Sequence, residues 1–229
     1  MNEITGQYAD ALRRSYVFNN IPVEKQVNVL SCLQVRKMVC QRDELLFAPG
    51  QADKRAGVVL TGALDEFLYD EEGNQIILAH LESGAVFGAE FICADQLVSP
   101  IYLRATQKSD LLLLDFTTIF SKRSVNCPYR MQVMVNLMEE YARQIAQLNT
   151  KIRILSQKKL RDKLKIFFQT QQLSADGVIT LPFNRREMAD YLCADRSALS
   201  RELCRMRDDG ILTFAGRTVT ILDKPFLFG

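Results

Sequence analysis

The residues of this 229-residue chain that could carry chemistry form a sparse set and a dense one. The sparse set is one histidine, His80, and six cysteines at 32, 40, 93, 127, 193 and 204. No two cysteines stand as C-x-x-C, and no second histidine completes a ligand pair or a base-orienter pair. Zinc-type sites and histidine-driven nucleophilic catalysis therefore lack donors at a working spacing. G-x-S-x-G, the P-loop and H-E-x-x-H are missing from the sequence as well. No catalytic residue, no metal and no enzyme activity is expected, and the cysteines read as reduced thiols.

The dense set lies toward the C-terminus: Arg185, Arg186, Arg196, Arg201, Arg205, Arg207 and Arg217, with Ser197 and Ser200 among them. Residues 156–229 carry 13 basic and 9 acidic side chains, against 16 and 18 in residues 1–155. Guanidinium forks fit phosphate oxygens and the O6/N7 edge of guanine, so this basic third suits a nucleic-acid partner. A solvated surface would carry the same charge, and the elements beneath the arginines must decide.

Those elements are legible. In 184–192, Asn184 can cap a helix while Glu187 reaches back to close the box and Phe183 staples onto Met188. The helix stops at Cys193-Ala194. Asp195 then caps a second one, whose Leu199, Leu203 and Met206 form an i, i+4, i+7 stripe, and Gly210 supplies a left-handed end with Ile211 beside it. Two helices joined by a turn of about three residues make a helix-turn-helix. With the stripe turned inward, Arg196, Ser197, Ser200 and Arg201 face outward to read base edges in a major groove, and Arg185 and Arg186 meet phosphates. The run ILTFAGRTVTIL (211–222) reads as two strands around Ala215-Gly216, a wing that carries Arg217 as a further phosphate contact.

Upstream, Met131, Met134, Met138, Tyr141, Ile145, Leu148, Ile152 and Leu155 recur at a 3-4-3-4 spacing, the seam of a coiled coil between two copies of the chain. Before that seam, aliphatic runs at 58–60, 64–70, 75–81, 101–106 and 110–116 alternate with turn residues, the pattern of a sandwich or barrel. Helices are expected at 7–19 and 23–32, and another restarts at Ser156. The fold class is α+β: an N-terminal antiparallel β-roll over 1–126, a long dimerisation helix over 127–155 and a winged helix-turn-helix over 156–229.

In that order the parts resemble the Crp/Fnr family of bacterial transcription regulators. FNRREMADYLCADRSALSRELCRMRDDGIL is similar to the family's helix-turn-helix signature, and LYDEEGNQIILAHLESGAVFG to its cyclic-nucleotide-binding-type jelly roll. The resemblance implies a homodimer bound to two-fold symmetric double-stranded DNA, with RNA polymerase as a further partner. By position Arg196 and Arg201 match the family's two recognition-helix arginines. Ser197 stands where many members place a base-reading glutamate, so the bases read need not be the usual ones.

The effector is unidentified. cAMP-responsive members grip the cyclic phosphate with an arginine-serine pair, and Ser99 and Pro100 occupy those positions here, while Ile145 and Ala146 fall where adenine would be hydrogen-bonded. cAMP is therefore disfavoured. Glu90 and Arg104 either line a pocket, form an internal salt bridge or lie exposed at the surface; Phe87, Ile101 and Tyr141 either contact a larger apolar ligand or belong to the core. Iron-sulfur members carry a tight N-terminal cysteine cluster, which this sequence lacks before Cys32, and haem would have only His80, a strand histidine, to hold it. Neither cofactor is expected. Cys127, beside Pro128 at the start of the seam helix, reads either as a redox switch with a lowered thiol pKa or as an inert thiol.

A rival class is a ligand-binding regulatory subunit that shares the roll and acts through protein contacts, for which a basic winged helix-turn-helix would have no use. The N-terminus shows no basic segment followed by an apolar one, and no window approaches the ~18 apolar residues of a membrane span, so a soluble cytoplasmic protein without membrane contact is expected.

Overall fold

Aliphatic runs punctuated by glycine pair into sheets because each run buries one face and each glycine lets the chain reverse. A computed structural model describes residues 6–50, 56–88, 101–120 and 127–228. The chain divides into two units, Met1–Leu68 with Ala79–Ile145, and Tyr69–Leu78 with Ala146–Gly229.

The first unit opens with helices α1 (Ala9–Arg14) and α2 (Val23–Cys32). Eight strands follow: β1 (Arg36–Cys40), β2 (Leu45–Phe47), β3 (Gly57–Thr61), β4 (Ala63–Tyr69), β5 (Gln75–Glu82), β6 (Val86–Phe87), β7 (Tyr102–Ala105) and β8 (Ser109–Leu113). They form two sheets, ordered β1-β8-β3-β6 and β2-β7-β4-β5. The pairings of β8 with β1 and β3, of β3 with β6, and of β7 with β2 and β4 are antiparallel. All five expected strands are present. The single helix expected over 7–19 instead breaks at Ser15, whose backbone is extended, and gives way to a short 3-10 turn at Tyr16–Phe18.

Two apolar clusters hold this unit. Cys40, Phe47, Val59, Leu64, Phe87, Leu103 and Leu111 make one within the strands. Leu12, Val17, Phe18, Leu30, Val58, Leu112 and Phe116 make the other, which Val133 and Leu137 complete from the long helix α4 (Arg130–Leu155). Each fully buried side chain of this size contributes about 1.5–3 kcal/mol. The β3–β4 reversal turns on Gly62 at φ +85, where a Cβ would collide with Ser109 and the backbone of Lys108. Another residue there would be strained on both counts.

A polar anchor fixes the start of α4. Asn136 is fully buried and its Nδ2 donates to the carbonyls of Val17 (2.9 Å) and Asn19 (2.8 Å), while Gln132 Nε2 donates to its Oδ1 at 2.9 Å. Both N–H donors and one of the two oxygen lone pairs are thereby used, so the buried amide is largely satisfied.

After a short helix α3 (Thr117–Phe120) in the first unit and α4, the second unit contains α5 (Leu160–Gln169), β9 (Val178–Thr180), α6 (Arg185–Leu192), α7 (Arg196–Asp208), β10 (Leu212–Ala215), β11 (Thr218–Ile221) and α8 (Lys224–Phe228). The helix expected to restart at Ser156 begins at Leu160. β9, β10 and β11 form a three-stranded antiparallel sheet in the order β10-β11-β9. One cluster fills this unit: Ile154, Leu164, Phe167, Phe168, Ile179, Met188, Leu192, Leu199, Leu203, Met206 and Val219, with Ile77 from the first half of β5, which belongs to the same unit. Among the described residues no helix is long and apolar enough to cross a membrane.

Candidate nucleic-acid interface

Helix α6 begins as its sequence dictates. Asn184 Oδ1 accepts from the amides of Arg186 (2.9 Å) and Glu187 (3.0 Å), and Glu187 Oε2 accepts from the amide of Asn184 at 2.7 Å. This reciprocal box satisfies three donors that a helix start would otherwise leave open. The helix ends at Cys193, which sits in the left-handed region at φ 47 and turns the chain within two residues. Asp195 Oδ1 then accepts from the Ala198 amide at 2.8 Å and starts α7.

Leu199, Leu203 and Met206 are buried, so the opposite face of α7 is set by the helical period. Arg196, Ser197, Ser200 and Arg201 are all exposed there. Ser200 Oγ donates to the Arg196 carbonyl at 2.9 Å, so a base contact by Ser200 would exchange that bond for another. Farther along, Arg161 of α5 holds Glu202 (2.5 Å) and Asp209 (2.7 Å), and this pairing raises its pKa. Two acidic groups near the helix are thus neutralised by a neighbour.

The other arginines divide. Arg186 is exposed at the first turn of α6. Arg185 is instead half-buried: its guanidinium lies 4.5 Å from the centre of the Phe214 ring, Nη1 reaches Met188 Sδ, and burial lowers its pKa. A stacked guanidinium joins α6 to the wing, which is packing that sequence spacing could not show. The wing is the β10–β11 hairpin, registered Leu212↔Ile221 to Ala215↔Thr218 around a two-residue loop. Gly216 takes the first loop position at φ 59, as a type II′ turn demands, and Arg217 is exposed beside it with Nη2 3.7 Å from Glu187.

Behind the turn, two lysines cap the end of α6. Lys163 Nζ donates to the Leu192 carbonyl at 3.0 Å, and Lys151 Nζ donates to the Tyr191 carbonyl while lying 3.3 Å from the centre of the Tyr191 ring. Cations belong at a helix C-terminus. Lys151 is only 4% exposed; burial pulls its pKa down to about 7, with Lys163 adding to the fall and Cys193 opposing it.

On α4, Met131 is 70% exposed and Met138 71%, with Val135, Ile145, Leu148 and Ile152 also open. Met134 and Tyr141 are partly buried and pack on the helical cluster of the first unit, and Leu155 is partly buried. The open apolar row in the first half of α4 therefore runs through Val135 instead of Met134 and Tyr141. A helix turning 3.6 residues per turn drifts from a strict seven-residue repeat, so a neighbouring position takes over.

The residues expected to surround an effector do not form one set. Phe87 lies in the strand cluster and Ile101 packs against it, whereas Tyr141 packs on the other cluster. Glu90 falls outside the described residues, as do Ser99 and Pro100. Arg104 lies over the Phe67 ring at 4.7 Å, in register with Asp65, and Phe67 stacks on Tyr102 at 5.0 Å. Asp65 is buried and meets His80 Nδ1 at 2.6 Å. When Asp65 is ionised it can only accept, from a proton on Nδ1. Asp65, Phe67 and Tyr102 were not singled out in the sequence; only cross-strand register brings them to Arg104 and His80.

Residues 164–227 match the Crp-like helix-turn-helix domain. The fumarate and nitrate reduction regulatory protein of Yersinia pestis is 24% identical over 210 residues, covering 89% of this chain and 82% of that protein. The structure of FixK2 from Bradyrhizobium japonicum is similar with a TM-score of 0.68 at 21% identity, over 84% of this chain and 95% of that one. A CooA mutant from Carboxydothermus hydrogenoformans gives a TM-score of 0.71 at 22% identity, over 87% and 88%. A capped two-helix unit with arginines and serines on its open face, followed by a wing, is what this match would require: residues 164–227 form a Crp-like helix-turn-helix domain, and the chain as a whole is similar to Crp/Fnr-type DNA-binding transcription regulators.

Proposed function

We propose that the protein acts as a homodimer on two-fold symmetric DNA, reading bases with Arg196, Ser197, Ser200 and Arg201 and gripping phosphates with Arg186 and Arg217. The observation that carries this reading is the pair of outward faces: an exposed arginine-serine face on α7 and an exposed apolar row on α4. An apolar row of that length is costly in water and is relieved by a second copy, whose symmetry sets two recognition helices one turn of B-DNA apart, roughly 34–36 Å. Arg185 is reassigned from phosphate contact to holding the wing, given its place on Phe214.

The signal enters at the N-terminal β-roll, and the face bearing Asp65, His80, Phe67, Tyr102 and Arg104 is the best supported place for it, since it concentrates charged and aromatic groups under low exposure. The signal is a molecule other than cAMP, on the sequence grounds of Ser99 and Pro100, and neither haem nor an iron-sulfur cluster is invoked. RNA polymerase is the partner through which a DNA-bound dimer would change transcription. Recovery of bound sites across a bacterial genome, followed by titration of the purified protein onto the best site, tests the function. A two-fold symmetric site bound with a strong salt dependence is expected. Equal, weak affinity for every duplex would instead favour a subunit that works through protein contacts alone.

A further inference from the structure

Cys32 is the last residue of α2, and Cys127 precedes α4 by one turn, its carbonyl accepting from the Arg130 amide at 3.1 Å. They are far apart in sequence, yet the Cys32 thiol lies within hydrogen-bonding reach of Cys127. Both belong to the first unit, neither is in a disulfide, and both are partly accessible. Cys127 packs against the cluster to which Val29, Leu30 and Leu33 contribute from the end of α2. The pair thus stands where the N-terminal helices meet the foot of α4, with Met131, the first residue of the open apolar row, just beyond it.

We propose that Cys32 and Cys127 form a reversible intramolecular disulfide, a thiol-oxidation site that acts on the start of the dimerisation helix. Its oxidant is a low-molecular-weight disulfide. Cys127 Sγ, as thiolate, attacks one sulfur of that disulfide; the S–S bond breaks and the leaving thiolate takes up a proton. Cys32 then loses its proton to solvent and attacks the Cys127 sulfur of the mixed disulfide, expelling the second thiolate. The protein gives up two protons and two electrons, and one small disulfide becomes two thiols. The order of attack follows from the surroundings. The Cys32 thiol is pushed up to about 11, first by burial, then by the hydrogen bond it donates to Cys127 and by the charge on Cys127, so it is a poor first attacker. Once Cys127 is in a mixed disulfide its charge is gone, and only burial still holds Cys32 protonated.

A bond between these sulfurs ties the end of α2 to the segment that leads into α4. Its effect on assembly rests on the dimer reading above; the chemistry of the pair does not. The test treats the full chain with reduced and oxidised glutathione at graded ratios, traps free thiols, and maps peptides without reduction. A linked Cys32–Cys127 peptide is expected to rise with oxidant, to vanish on dithiothreitol, and to be absent from Cys32→Ser and Cys127→Ser but present in Cys193→Ser. In parallel, the dimer dissociation constant measured by sedimentation is expected to shift several-fold on oxidation in the natural chain and not in Cys32→Ser. Recovery of both cysteines as trapped thiols, while Cys193 or Cys204 becomes glutathionylated, would overturn the pair as a site. A linked peptide with an unchanged dimer constant would overturn its action on α4. A monomer in both redox states would sink the dimer reading and leave the linked peptide to decide the thiol pair separately.

Discussion

Helices α4 and α7 are built alike on the inside and oppositely on the outside. Each buries apolar side chains: for α4, Val133 and Leu137 in the first unit and Ile154 in the second, and for α7, Leu199, Leu203 and Met206. Outward, α7 offers guanidinium and hydroxyl groups, whereas α4 offers methionine and isoleucine. Exposed charge needs nothing from a partner to be soluble and becomes specific only against a complementary polyanion. Exposed hydrocarbon is a liability until covered. The inward stripe of a helix therefore reports how it folds, and the outward one what it meets.

The comparison is broken most strongly on α4. Met138→Asp with Ile145→Asp should dissociate the proposed dimer and weaken binding to a symmetric site by at least ~100-fold, because the second half-site is no longer engaged as one event. Sedimentation and a mobility-shift titration on the same samples check both effects. An unchanged dimer would mean that the open row has another use.

On α7, Arg201→Ala should cost about 1–3 kcal/mol on the preferred site and relax the preference at one base position in each half-site. Competition between site variants reads this directly.

Lys151 sharpens the contrast differently, since it is an amine buried behind α6. Its pKa falls from an ordinary 10.5 to about 7, chiefly through burial. Between those values the unfolded chain holds the proton and the folded one does not. Stability should therefore rise with pH across that window, by up to about 1.4 kcal/mol per unit, and level off below pH 7. Lys151→Met should remove this slope. Urea midpoints from pH 6.5 to 9.5 measure it, with Cys193→Ser present in both proteins because Cys193 and Lys163 both act on the ammonium.

Asn184→Ala should lower stability by ~1 kcal/mol through loss of the cap, leaving the base preference intact. Thermal unfolding alongside a site-selection assay separates the two. Least of all, Arg186→Ala should weaken binding evenly across sequences and reduce the salt slope by about one.

The second unit was the more legible in the sequence because its signals are local. The Asn184 cap, the Asp195 cap and the Leu199-Leu203-Met206 stripe each lie within a few residues, and the wing announces itself through Ala215-Gly216. The stacking of Arg185 on Phe214 was not legible because the ring comes from the wing. In the first unit the short strands β1, β2 and β6 escaped notice. β1 reads RKMVC with mostly exposed side chains and is a strand only because β8 pairs with it from Arg36↔Leu113 to Cys40↔Ser109. Val135 was overlooked because a strict heptad ignores helical drift, and Asp65 and Cys32 because their partners arrive from distant sequence.

Asn136 carries a practical consequence. Its amide grips main-chain carbonyls at Val17 and Asn19, so what it holds is the path of the N-terminal segment and not any particular side chain there. Side-chain substitutions at 17 and 19 should be forgiven by this lock, whereas deleting the segment would strand a buried amide and unseat the foot of the rod on which the proposed assembly depends. Shortened versions of the protein that begin past residue 20 are therefore poor surrogates for measuring how two copies associate.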